Sequence, residues 1–143
     1  MTQQIIDTRT GELRFAKDFL VSKQTTPEEV ISYFGQDNVV FRDMNTGWKH
    51  YVVRNAKVND TYFIFTFYFH NDILKMLDFI VSDKFIVAGS WADWSEKKEL
   101  QNLDYFNDWL TKEIGSNRQF VWGTINSYYD SNGGCSSIVL KYE

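Results

Sequence analysis

Residues 61–69 read Thr-Tyr-Phe-Ile-Phe-Thr-Phe-Tyr-Phe. The odd positions Phe63, Phe65, Phe67 and Phe69 are all phenylalanine, while Tyr62, Ile64, Thr66 and Tyr68 are amphipathic or β-branched. Successive side chains of a strand point to opposite faces, so the segment divides into a phenylalanine row and a tyrosine-edged row. It carries no charge, proline or glycine, and exposed it would template pairing with other chains. It therefore belongs inside a sheet with its phenylalanine face covered. That row is assigned to the core, beneath a long helix through Phe106 and Leu110. The opposite row is left for function.

The rest of the 143-residue chain supplies a single domain, residues 1–143, long enough to bury a core without disulfides. Thr26-Pro27-Glu28-Glu29 is a helix start, with a capping threonine, a proline suited to the first turn and an acid where a capping box needs one. This helix ends at Gly35. Strands are predicted over residues 48–57, 61–69, 73–82 and 84–89, with Asn59-Asp60 and His70-Asn71-Asp72 as turns. A second helix is predicted over residues 95–114, with the apolar stripe Leu103, Phe106, Leu110 and Ile114 and an Asp108–Lys112 pair. Residues 119–129 and 135–142 form a last hairpin around Asn132-Gly133-Gly134. A turn at Arg9-Thr10-Gly11 followed by alternation at Leu13 and Phe15 adds a short hairpin at the start.

The predicted fold class is α+β, an antiparallel sheet of about six to eight strands with two helices packed against it in the order ββ-α-ββββ-α-ββ. The two helix-plus-hairpin units suggest an internal duplication. Superposed without gaps on Trp48 and Trp122, they align Ile64 with Ile138 and Tyr68 with Tyr142, but set the phenylalanines opposite Ser137 and Lys141.

Thr26-Pro27-Glu28-Glu29-Val30, then Phe34-Gly35, then Trp48 and Tyr51 opening a run of antiparallel strands, resemble the β-lactamase-inhibitory-protein-like fold. Small lipoproteins of the outer-membrane assembly machinery look similar. The resemblance covers residues 26–81, and again residues 107–142. It implies a short helix followed by a sheet with an aromatic binding face. The chain departs from the lipoprotein pattern in having neither an anchor cysteine nor a signal sequence. In general character it is similar to immunity proteins of bacterial toxin systems.

Chemistry is sparse. The two histidines, His50 and His70, and the single cysteine, Cys135, sit in no metal-ligand spacing, and neither a nucleophile elbow nor a phosphate loop occurs. No metal and no cofactor is therefore expected. Cys135 reads as a small semi-buried residue, His70 as part of a turn and His50 as a packed or rim residue. Asp78, between Leu77 and Phe79, is expected to face solvent or to bond a neighbouring strand; buried, its raised pKa would suit an acid catalyst. In the loop Trp91-Ala92-Asp93-Trp94 the tryptophans form an interface anchor pair, stack on sugars, or shield a helix start capped by Asp93 or Ser95.

A net charge of −4 argues against nucleic acid and is compatible with a basic partner. No apolar stretch reaches membrane-spanning length, and residues 1–11 are polar, which leads to the expectation of a cytoplasmic protein with no membrane partner. With 17% aromatic residues and little catalytic inventory, the leading expectation is a non-enzymatic binding protein whose partner is another protein, in the manner of an inhibitor or immunity protein. Its expected contact residues are Tyr62, Thr66 and Tyr68 on the sheet, Trp91, Asp93 and Trp94 in the loop, and Tyr128 and Tyr129 beside the last hairpin. The alternatives are a small-ligand or carbohydrate-binding domain and a hydrolase using paired carboxylates.

Overall fold

The computed structural model describes residues 5–16, 19–58, 60–87, 95–130 and 134–143. A small hairpin, β1 (Leu13–Ala16) and β2 (Phe19–Val21), is followed by helix α1 (Pro27–Phe34) and a 3₁₀ turn, Gln36–Asn38. Four strands come next: β3 (Val39–Asp43), β4 (Trp48–Val58), β5 (Thr61–His70) and β6 (Ile73–Ser82). Helix α2 (Glu96–Ile114) leads into β7 (Gln119–Phe120), β8 (Gly123–Asp130) and β9 (Cys135–Tyr142). The larger sheet has the order β3-β4-β5-β6-β9-β8-β7, with every pairing antiparallel.

Local chemistry accounts for the helices. Thr26 Oγ1 accepts from the Glu29 amide at 3.2 Å, while the Thr26 amide donates to Glu29 Oε1 at 3.2 Å, which closes the capping box. Ser95 caps α2 by accepting from the Lys98 amide at 3.1 Å. Phe106, Leu110 and Ile114 are the buried stripe of α2. The ion pairs among the described residues are Lys49–Asp72 and Lys57–Asp60, so the expected Asp108–Lys112 pair is not closed.

Phe65, Phe67 and Phe69 are fully buried and Phe63 is 1% exposed, each ring contributing roughly 1.5–3 kcal/mol of burial. Their cover differs from the expected long helix. Phe34 of α1 lies against Phe65 and Phe67, with centroids 6.2 Å apart in both cases, and Phe15 of β1 lies 4.6 Å from Phe65. Only the Phe63 end reaches α2, through Trp109 at 6.0 Å. The body of α2 rests on β8 and β9, where Ser136 donates from its hydroxyl to the Glu99 carbonyl and from its amide to Glu99 Oε2. Both helices and the small hairpin thus share one side of the sheet.

Three details depart from the sequence reading. Residues 39–43 form an edge strand that was not expected; four of the five are exposed, so no buried face imposes an alternation. The strand expected over residues 84–89 is absent where it is described, at residues 84–87. There the Asn55 side-chain amide donates to the Ile86 carbonyl at 2.9 Å and its oxygen accepts from the Ile86 amide at 2.7 Å, replacing a ladder pair. The strand expected over residues 119–129 is split by a turn at Val121-Trp122 that folds β7 back on β8, which opens at Gly123 where a Cβ would run into the Lys141 carbonyl oxygen. The order α–β–β–β does occur twice, after α1 and after α2. The ungapped superposition nevertheless pairs residues of opposite faces, since Ile138 is in the core whereas Ile64 is on the other side of the sheet.

Phe67→Ala should lower the unfolding free energy by about 3–5 kcal/mol in a urea titration, and Lys75→Ala, at an exposed position, should change it by less than about 0.5 kcal/mol.

Candidate functional site

The second face of the sheet is built by the same alternation that builds the core. Opposite the phenylalanine row stand Tyr62, Ile64, Thr66, Tyr68 and His70 of β5, and cross-strand pairing sets their neighbours. One row across the sheet is Arg42-His50-Tyr68-Met76-Lys141-Thr124, and the next is Val40-Val52-Thr66-Asp78-Val139-Asn126. Ile64 pairs with Ile80, and Tyr128 with Ser137, farther along the same face. Neither helix lies on this side.

Aromatic groups line it from one end to the other. Trp48 and His70 are paired across β4 and β5 with ring centroids 4.8 Å apart, beside the exposed Ile73. The His50 ring meets that of Tyr68 edge-on at 4.5 Å. At the opposite end Phe85 packs on Tyr62 at 5.8 Å, and the Lys57 ammonium stands 5.6 Å from the Tyr62 centroid. The Lys141 ammonium lies 5.0 Å from the centroid of Tyr128.

Asp78 lies in the middle of this surface. Its Oδ2 accepts from the Tyr68 hydroxyl at 3.3 Å, and the Thr66 side chain also bonds its carboxylate. Buried Val139 pairs with it from β9. Burial pushes its pKa up from 3.8 to about 6, against the smaller lowering by the two hydroxyl groups. Burial, then the charge of Asp78 and its acceptance of the hydrogen bond, hold the Tyr68 hydroxyl far above the usual phenol range. His50 moves the other way, lowered by burial and by the Arg42 charge. None of the described ion pairs involves Asp78.

Four of the expected contact residues, Tyr62, Thr66, Tyr68 and Tyr128, share this face. Tyr129 does not. It alternates to the helix side, where burial and then the charges of Glu96 and Glu99 raise its pKa. Trp91, Asp93 and Trp94 lie outside the described residues. Asp78 bonds a neighbouring strand, as one reading of it held, and His50 is half-buried. Trp48, His50, His70 and Asp78 join the face although none was singled out as a contact residue. The strand alternation of Trp48, His50 and Val52 was the available signal. Cys135 is exposed and has the parity of Ser137 and Val139, so it opens on the same face, opposite Asp130.

Among the described residues no group of three or more His, Cys, Asp or Glu side chains could hold a metal ion, and no helix is long and apolar enough to cross a membrane. Comparison with protein-family models, with curated proteins and with solved structures gives no match.

Ionising Asp78 in the folded protein carries a penalty, because its folded pKa of about 6 stands above the ordinary aspartate value of 3.8. The gap corresponds to about 3 kcal/mol, present in full above pH 6 and relieved as pH falls from 6 towards 4. Asp78→Asn should therefore stabilise the protein by about 2–3 kcal/mol at pH 7.5 and by almost nothing at pH 4, as read from urea titrations at the two pH values.

Proposed function

We propose that this chain is a non-enzymatic binding protein whose partner, another protein, docks on the open face of the seven-stranded sheet. The observation that carries the reading is the one-sided architecture: α1, α2 and the small hairpin cover the phenylalanine side, and the opposite side presents Trp48, Tyr62, Tyr68 and Tyr128 around a half-buried floor. Tyrosine and tryptophan give large contact area at low ordering cost, and binding energy concentrates in such residues. An inhibitor or immunity protein would need this kind of surface and no chemistry of its own.

The paired-carboxylate alternative has less support. The other carboxylate of the same parity, Asp130, is opposite Cys135, four residues along β9 from Val139, the partner of Asp78. At ~3.4 Å per residue and ~4.8 Å per strand, the two backbone positions are roughly 17 Å apart, beyond the span a glycosidase pair uses.

The unique Cys135 reports on the face directly. A captured partner should slow alkylation of Cys135 by iodoacetamide at least about fivefold, and Val52→Lys, on the same face and in the row of Thr66 and Asp78, should weaken the complex at least about tenfold. Lys112→Glu, on the exposed side of α2, should leave both unchanged. A complex that forms equally well with Val52→Lys and leaves Cys135 open would overturn the reading.

A further inference from the structure

We infer that Asp78 is the anchor of the open face, receiving a guanidinium or ammonium group from a basic side chain of the protein partner; the inference rests on the face being the docking surface. The argument is one of charge complementarity at a defined place. The carboxylate stands between Thr66 of β5 and Val139 of β9, with Ile80 two residues along its own strand and Val52 beyond Thr66, and its described hydrogen bonds come from hydroxyl groups alone. A carboxylate offers about four lone-pair positions, so Tyr68 and Thr66 leave acceptor capacity for an incoming cation.

The protein's own cations around it are committed elsewhere. The Lys141 ammonium stands over the Tyr128 ring, and Lys57 over Tyr62 with a contact to Asp60. Arg42 lies three strands away, with Tyr68 and His50 on the strands between. The other titratable groups on its side are Tyr68 on β5, which donates to it, His50 beyond Tyr68 on β4, its pKa lowered by burial and by the Arg42 charge, and Cys135 four residues along β9 from Val139. A partner's cation would bring the compensating charge that the fold does not provide. The flanking rings of Tyr68 and His50 would shelter the pair from water, where an ion pair of this kind gains most. The net charge of −4 favours approach of a basic surface.

The probe is N-acetyl-arginine amide, with its neutral isostere N-acetyl-citrulline amide as the control, titrated into the labelled protein at pH 7.5 and followed by backbone amide chemical shifts. The expected result is a saturable shift centred on Thr66, Tyr68, Asp78 and Val139 with a millimolar dissociation constant. It should weaken at least about tenfold in Asp78→Asn and for the citrulline compound, and persist in Asp83→Asn, an exposed site in the β6–α2 connection. Lowering the pH through 6 to 5 should also release the probe, because the carboxylate takes up a proton. Shifts of equal size in Asp78→Asn, shifts centred elsewhere, or no shift at ~50 mM probe would overturn the inference. If the probe fails while a captured partner still shields Cys135, the anchor falls and the docking face stands. If Cys135 stays open in every complex, the docking face falls and the anchor falls with it.

Discussion

The alternation of β5 is the constraint from which the rest of the structure follows. Four phenylalanine rings on one side of one central strand must be kept from water together, and Phe63 and Phe65 stack at 5.2 Å with nearly parallel planes. Three separate pieces of chain converge to cover them: Phe15 from β1, Phe34 from α1 and Trp109 from α2. With both helices and the small hairpin on that side, neither helix covers the other, where Phe85 packs on Tyr62 at one end. The open face is thus a consequence of how the core is built, and its tyrosine-edged composition lets it face water.

What the sequence revealed was mostly what local chemistry decides. Thr26, Pro27, Glu29 and Gly35 mark the limits of α1 within a single turn at either end, and Asn71-Asp72, both at positive φ, make the β5–β6 turn that their side chains favour. Features set by distant partners were hidden. β3 lies at a sheet edge and has little to bury, so it shows no alternation. Phe85-Ile86-Val87 has the composition of a strand, yet the Asn55 amide claims the backbone of Ile86 from 31 positions away. Asn55 is free to do so because a bulge between Val53 and Ala56 takes it out of the ladder.

The candidate site divides along the same line. Tyr62, Thr66 and Tyr68 were assigned together because alternation along one strand is enough to group them. Tyr128 and Tyr129 were grouped by adjacency, which alternation forbids; only Tyr128 reaches the face. Asp78 shows the limit most clearly. Its side of β6 follows from Leu77 and Phe79, but its burial depends on Val139 of β9, brought alongside by a connection that includes all of α2. The chain offers no local sign of that neighbour.

The placement of Asp78 also discriminates between structural and functional roles for a buried carboxylate. A structural carboxylate gains from a cation or from several backbone amides, and its pKa falls; that of Asp7 falls mainly through bonds from the Thr10 and Arg9 amides. Asp78 has two hydroxyl groups and no cation of its own, and its pKa rises. An asparagine could accept from the same two hydroxyl groups without the penalty, so the fold gains nothing from the charge at this position. On the docking reading proposed above, the charge that weakens the free protein is offset by the partner's cation. The same reasoning explains why it sits at the centre of the face and not at its rim. A salt bridge at the rim is screened by water and adds little, whereas one formed beside Ile80 and Val139 would be desolvated under the proposed partner.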